Sequence, residues 1–246
     1  MLISMKGIRI PLRKRNQRGK RKGLGQLFDK INTYLIANGA ARTILQGLWT
    51  TVRISMFAIV LGTLLGALLC LIRMKGPRLI RGLVRVYTGV LRGTPVSLLL
   101  LMMYYVVFAK TPFSAEIIAV ITYALNMSAH TAELMYAAFS SVNRGQVEAA
   151  RTLGFSALGA FGRVTLPQAW NMARSVYQST VINIIQWTSV VGFITITDLT
   201  RVINNFSART LQPVFMICFG MLLYLVVSYL VYALFGIRRR KKHASD

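Results

Sequence analysis

The chain alternates between long apolar runs and short polar or basic segments. Five runs stand out, at residues 54–72, 94–109, 117–142, 176–197 and 214–237. An α-helix needs about 20 apolar residues to cross a bilayer, and each run meets or approaches that length. Backbone amides find no water in lipid, so a crossing segment has to bond internally as a helix. The pattern therefore predicts an all-α membrane protein with about five transmembrane helices.

The limits of these runs divide the chain into a membrane domain and its flanking regions. Residues 1–30 form a basic N-terminal tail, and residues 31–53 are mildly amphipathic, which is typical of an interfacial helix. The predicted transmembrane domain covers residues 54–237 and includes a polar segment at residues 143–170. Residues 238–246 form a basic C-terminal tail.

Composition adds a strong charge bias to this picture. Hydrophobic residues make up 54% of the chain, and 30 Lys and Arg against 6 Asp and Glu give a net charge of +24. Such a surface suits either nucleic acid or the anionic leaflet of a membrane. The apolar runs favour the membrane, and no nucleic-acid-binding motif accompanies the charge. We therefore expect contact with lipid and none with nucleic acid.

Lysine and arginine are concentrated in the segments after the first, third and fifth runs. By the positive-inside rule, this bias places the polar segment and the C-terminus in the cytoplasm. The basic N-terminal tail conflicts with that orientation, because five spans would put it on the opposite side. The alternative is a tail that stays inside with a different number of spans.

The chain carries no pattern that indicates catalysis. It lacks the phosphate-binding sequence G-x-x-x-x-G-K-[ST], and its two histidines offer little for a nucleophile and its base. Cys70 and Cys218 both lie inside apolar runs, which argues against a disulfide framework or a zinc site. We expect no catalytic residue, no metal and no ATP site in this chain.

The polar segment has the local signals of two helices joined at a glycine. Residues 144–153 are good helix formers, and Gly154 follows them at the position that favours glycine. Ser156 can cap a second short helix that ends near residue 164, and Pro167 suits the first turn of the next helix. The expected shape is helix–Gly–helix.

Two motifs resemble those of a known family. The residues at the spacing of the first are Glu148, Ala149, Ala150, Gly154, Leu166 and Pro167. With them, the chain resembles the membrane subunits of ABC importers, whose cytoplasmic EAA loop docks into the ATPase subunit. The second motif is Arg92, Gly93, Thr94 and Pro95, preceded by Tyr87. It resembles the RGTP segment of permeases for polar amino acids.

This resemblance implies the type I importer fold and a set of partners. Two ATPase subunits, which bind the ATP and Mg, would dock on residues 143–170, which we call the coupling segment. The other implied partners are a second permease subunit, an extracytoplasmic binding protein and an amino acid substrate. The implied location is the inner membrane of a bacterium.

The chain departs from the family pattern at several charged positions. Gly89 replaces an acidic residue, Gln186 replaces a basic one, Thr195 replaces a frequent glycine, and no arginine follows Glu133 closely. We hypothesise that the chain is one half of a heterodimer or handles a less charged substrate; a homodimer is the alternative.

Polar side chains within the apolar runs are candidates for a substrate path. They are Asn126, Glu133, Asn183 and Gln186. Intramembrane charges are usually functional, although such side chains also serve as hydrogen bonds between helices. His130, three residues before Glu133, is interpreted as structural. A different class of function, a proton-coupled secondary transporter, would use His130 and Glu133 as a relay.

Overall fold

The computed structural model of the protein describes the backbone of residues 40–240 and the side chains of residues 40–235. The chain divides into two compact units according to its internal contacts, residues 1–45 and residues 46–246. The helix packing described here is that of the second unit. Within the described range the chain is helical and contains no strand. The elements are α1 (Ala40–Lys75), α2 (Arg78–Gly93), α3 (Val96–Met102), a π turn (Met103–Val107), α4 (Ala115–Ser140), α5 (Arg144–Thr152), α6 (Ala157–Ala160), a second π turn (Phe161–Thr165), α7 (Leu166–Trp187), a 3₁₀ helix (Thr188–Ile194), α8 (Leu199–Thr210) and α9 (Pro213–Arg240).

The boundary predicted between residues 53 and 54 falls inside α1. This helix continues for 36 residues without a break. Thr50, a residue type that can cap a helix, instead donates its hydroxyl to the Gln46 carbonyl within α1, and no proline interrupts the sequence there. The assignment of residues 31–53 to the membrane interface stays a prediction, as does the basic tail at residues 1–30, which lies outside the described residues along with residues 241–246.

Thr94 and Pro95 form a sharp corner between α2 and α3, whose axes are bent by 106°. Pro95 immediately precedes the first residue of α3. Thr94 donates its hydroxyl hydrogen bond backward to the Val90 carbonyl at 2.8 Å. The threonine therefore satisfies a carbonyl of the preceding helix and does not cap the following one, because Pro95 occupies the cap position of α3.

Helix α4 lies at the centre of the packed unit. Tyr123 and Met127 are fully buried, in contact with a cluster that includes Ile54, Leu100 and Ile184. The Tyr123 hydroxyl donates to the Trp187 carbonyl at 2.9 Å, which satisfies a polar group that the core would otherwise leave unpaired. Helices α1, α3 and α7 thus pack around α4.

Two glycines let α1 approach α4 closely. A Cβ atom on Gly62 would lie 2.6 Å from Met127 Cβ, and one on Gly66 would lie 2.7 Å from Thr131 Cβ. Both distances are too short for real contacts, so no larger residue fits without moving a helix. Small residues four apart are the usual means of close helix packing in membranes.

Length and apolarity alone identify fewer spans than the five predicted. In the described residues α1 and α9 each qualify as a span by themselves. Two pairs of helices joined by a sharp bend, residues 78–93 with 96–107 and residues 157–194 with 199–210, raise the number to four if each pair is counted as one span. Helix α4 is 26 residues long, enough to cross a bilayer, but is not among these candidates. Its polar residues are compatible with a membrane because other helices, and not lipid, surround much of it.

Candidate functional site

The coupling segment begins with a helix that ends in a complete Schellman turn. The Asn143 side chain accepts a hydrogen bond from Gly145 N at 2.8 Å and so caps α5. At the other end, Gly154 N donates to the Arg151 carbonyl and Phe155 N donates to the Ala150 carbonyl. Gly154 has φ +88°, a conformation that favours glycine. The predicted helix–Gly break is confirmed in its geometry.

The second half of the coupling segment differs from the prediction. Ser156 accepts from Gly159 N at 3.1 Å and caps α6 as expected. Helix α6 does not end near residue 164, however; it continues through the π turn into α7. Leu166 N reaches back to the Phe161 carbonyl, and this wider turn accommodates Pro167, which has no N–H to donate.

Exposed apolar side chains flank the glycine turn. Leu153 and Leu158 are each 80% exposed, and Glu148 and Ala149 are also exposed, whereas Ala150 is buried. Two large apolar side chains beside a polar helix are typical of a surface that a partner covers. The sequence analysis did not identify Leu153 and Leu158, because the family pattern there consists of Glu148 and small residues and includes neither leucine.

The Arg92–Pro95 motif lies at the corner between α2 and α3, next to an ionic cluster. Glu133 accepts hydrogen bonds from Arg73 of α1 and, at 2.7 Å, from the Thr88 hydroxyl of α2. Arg92 Nη1 lies 3.9 Å from the other carboxylate oxygen. We call Glu133, Arg73, Thr88 and Arg92 the Glu133 cluster. The Glu133 cluster joins α1, α2 and α4. These contacts match the second interpretation of Glu133 given above, a side chain that forms hydrogen bonds between helices, and not that of a residue of the substrate path.

The sequence analysis missed Arg73 and Thr88. Arg73 belongs to the last turn of α1, since the helix extends beyond the apolar run to Lys75. Its guanidinium also lies over the Tyr136 ring, 4.0 Å from the centroid. The signal that could have found it is the carboxylate itself: a glutamate in an apolar helix needs a cation, and Arg73 directly follows the first apolar run.

The four candidate path residues do not come together in one place. Asn126 is buried and donates to the Leu91 carbonyl at 3.0 Å, which ties α4 to α2. Glu133 belongs to its cluster. Gln186 and Asn183 are both exposed on α7, and Gln186 lines a cavity that does not include Asn183. This cavity of about 880 Å³ lies between α7, α8 and α9, and the polar residues lining it include Ser189, Asn204 and Ser228.

His130 contacts the Trp187 ring, with 5.9 Å between ring centroids. No hydrogen bond joins His130 to Glu133 in the described part of the chain. The carboxylate is bound instead to Arg73 and Thr88. A proton relay between the two side chains therefore finds no support in this arrangement.

Thr195, which replaces a frequent family glycine, has φ 72°. A β-branched residue in this left-handed region costs about 1–2 kcal/mol, whereas glycine adopts it freely. Asp198 follows and caps α8, accepting from Thr200 N at 3.0 Å and Arg201 N at 3.1 Å. The glycine pattern thus reflects the backbone turn between the 3₁₀ helix and α8.

Long apolar helices packed around a centre that carries polar side chains define an integral membrane protein. The chain belongs to the family of binding-protein-dependent transport system inner membrane components, whose pattern matches residues 58–241. Such a subunit is a membrane component and is not itself catalytic. The expected importer family and its fold are confirmed.

Relatives agree with this assignment. The L-cystine transport system permease protein TcyB of Bacillus subtilis (strain 168) is 31% identical over 70% of this chain and 74% of its own length. The histidine/lysine/arginine/ornithine transport system permease protein HisM of Escherichia coli (strain K12) is 30% identical over 79% and 87%.

Solved structures share the fold. One chain from the crystal structure of an amino acid ABC transporter with histidines has a TM-score of 0.74 and 27% identity, covering 85% of this chain and 98% of that one. A chain of the inward-facing MetNI methionine ABC transporter has a TM-score of 0.69 at 16% identity, covering 84% and 99%. The second likeness shows the fold alone.

Proposed function

We propose that the chain is the permease subunit of an ATP-driven importer of amino acids that receives its substrate from a binding protein. The family match supports the transport role. The amino acid class is supported by the relatives, since TcyB, HisM and the transporter of known structure are all named for amino acids. Two such subunits would enclose the path, while ATP and Mg would bind to the ATPase partners.

The assignment of the ATPase contact rests on the exposed turn at Gly154. Glu148 and Ala149 are exposed on α5, and Leu153 and Leu158 project on either side of Gly154. We assign two ATPase subunits to the two copies of this surface. Leu166 and Pro167 position it by connecting it to α7. This docking requires the coupling segment, and with it the C-terminus, to lie in the cytoplasm.

Gly154→Val tests the docking surface. The substitution places a β-branched residue at φ +88° and should disrupt the turn, so that co-purification of the ATPase and transport are both lost. Gly162→Val is the matched control, because a Cβ at either glycine meets nothing within 4 Å and only Gly154 has a positive φ. Undiminished co-purification with Gly154→Val would contradict the assignment.

Glu148→Arg tests the charge on the same surface. It should abolish transport while the protein still inserts into the membrane, because the partner would then meet the wrong charge. Unchanged uptake would remove Glu148 from the contact.

The cavity between α7, α8 and α9 is our candidate for substrate handling. None of its lining residues is charged among the side chains described, which suits an uncharged amino acid side chain. Gln186→Leu should raise the KM for uptake several-fold, and Asn183→Leu, one turn earlier on α7 but outside the cavity, should leave it unchanged. Equal effects of both substitutions would argue against this path.

The second permease subunit is best assigned as a different chain. Gly89 and Gln186 replace charged family residues, so a partner that keeps those charges would complete the site. Expression of this chain with one ATPase and no second permease should give no transport. Full activity from that homodimer would overturn the heterodimer.

A further inference from the structure

A second cavity lies beside the coupling segment and is lined by basic residues. It has a volume of about 480 Å³ and is formed by the ends of α1, α2 and α4 with α5. The lining side chains that matter here are Arg73, Arg81, Tyr136, Ser140, Arg144 and Glu148. Glu148 also belongs to the proposed ATPase contact, whereas the three arginines have no part in the importer function proposed above.

The cavity has an excess of positive charge. The side chains of Arg81 and Arg144 have no ion pair or hydrogen bond among the described residues, while the Arg73 side chain is paired with Glu133. Even when Glu133 and Glu148 are both counted, the three arginines leave one positive charge uncompensated. Arginine pairs well with phosphate because its planar group donates several hydrogen bonds.

Arg73 forms the buried side of the cavity. Its guanidinium is bound to Glu133 and stacked over Tyr136, and its Nε atom is buried without a hydrogen-bond partner. Because Nε has almost no accessible surface, a ligand in the cavity does not reach it. Among the described residues, the guanidinium donors available to such a ligand are therefore those of Arg81 and Arg144.

Apolar surface adjoins the basic residues. Met74 lines the cavity and is partly exposed, and it continues an apolar stripe on α1 whose members Leu64, Leu68 and Leu71 are more than half exposed. A soluble anion has no use for this surface, whereas the acyl chains of a lipid would cover it. Basic pockets between membrane helices are known to bind anionic headgroups.

We propose that this cavity binds the phosphate headgroup of an anionic phospholipid. Arg81 and Arg144 contact the phosphate, and the acyl chains lie along the exposed apolar stripe of α1. Because Glu148 lines the same cavity, the lipid lies directly beside the coupling segment and steadies the start of α5.

The test compares lipid binding to the purified full-length complex by native mass spectrometry. Wild type should retain phosphatidylglycerol in preference to phosphatidylcholine. The double variant Arg81→Gln/Arg144→Gln should lose roughly tenfold or more of that preference, since each arginine near the lipid contributes to binding. The control double variant, Arg78→Gln/Arg85→Gln, removes the same charge from exposed positions on α2 that do not line the cavity, and should bind as wild type.

Three outcomes would overturn the proposal. Equal loss in both double variants would mean a diffuse surface effect. Binding of inorganic phosphate in lipid-free detergent, with no preference for phosphatidylglycerol, would mean a soluble anion. Loss of ATPase association in Arg81→Gln/Arg144→Gln without added lipid would mean that the ATPase fills the cavity. If that variant fails to fold, Arg144→Gln alone, at the exposed start of α5, gives the same comparison.

Discussion

Two ion pairs join α1 to α4, and their surroundings differ. Arg53 and Glu116 pair near the start of α4, with side chains 39% and 44% exposed. Arg73 and Glu133 pair farther along both helices, where the side chains are 12% and 23% exposed. The first pair has no further partner among the described residues, whereas the second adds Thr88 and Arg92.

This difference in depth decides what each pair does. An exposed pair gains little, because water and salt screen it and two flexible side chains have to be fixed. A partly buried pair is costly to form but more costly to break, since removing one partner leaves a charge without compensation. We infer that the Glu133 cluster fixes the arrangement of three helices, while the Arg53–Glu116 pair only adds to a contact that exists without it.

The largest effect is expected from Glu133→Gln. The change leaves the mostly buried Arg73 without its counter-charge and should cost roughly 3 kcal/mol of unfolding free energy in detergent. Transport should fall with it, because α1, α2 and α4 lose their common anchor. Chemical denaturation in mixed micelles measures the first effect. A loss no larger than that of Glu116→Gln would remove the distinction between the two pairs.

A smaller effect is expected from Gly66→Ala, which separates α1 from α4 between the two pairs. The added Cβ would lie 2.7 Å from Thr131 Cβ and 2.8 Å from the Ser128 carbonyl oxygen, so overpacking should cost about 2 kcal/mol. Gly82→Ala is the control, since a Cβ there meets nothing within 4 Å. In a double variant with Glu133→Gln, the losses of unfolding free energy from the two substitutions should be non-additive. In a double variant of Gly66→Ala with Glu116→Gln, the two losses should add.

The smallest effect is expected from Glu116→Gln. The exposed pair should contribute less than about 1 kcal/mol, and the contribution should disappear at high salt. A double-mutant cycle with Arg53→Gln isolates the pair. In 1 M salt the Debye length falls to about 3 Å, from about 10 Å in 0.1 M salt. A coupling energy that persists in 1 M salt would therefore show that this pair is also buried in the assembled protein.

How far the sequence could predict these regions depends on how local their signals are. The turn at Gly154 and Ser156 could be predicted from the sequence, because its hydrogen bonds span only a few residues. Pro95 marks the end of a helix, yet nothing local encodes the 106° angle, which follows from how α2 and α3 pack on α4. The partners of Glu133 lie 60 and 45 residues away, so their identity required the folded chain.

The same argument applies to the path residues. Asn126, Asn183 and Gln186 are alike in the sequence, as amides in apolar helices. The fold places Asn126 against a carbonyl of α2, Gln186 in a cavity and Asn183 outside it. Which side of a helix faces a neighbour is set by tertiary packing, and these helices are too uniformly apolar for periodicity to reveal it.

The uninterrupted passage from α6 through the π turn into α7 has a mechanical consequence. One end, at Ala157, adjoins the exposed glycine turn, and the other, at Trp187, adjoins Gln186 and the larger cavity. At about 1.5 Å per residue this rod is roughly 45 Å long. A displacement of Leu158 by a partner would therefore be transmitted along this helix to its far end at Trp187. The wider turn at Phe161–Thr165 lies close to the end at which the force is applied.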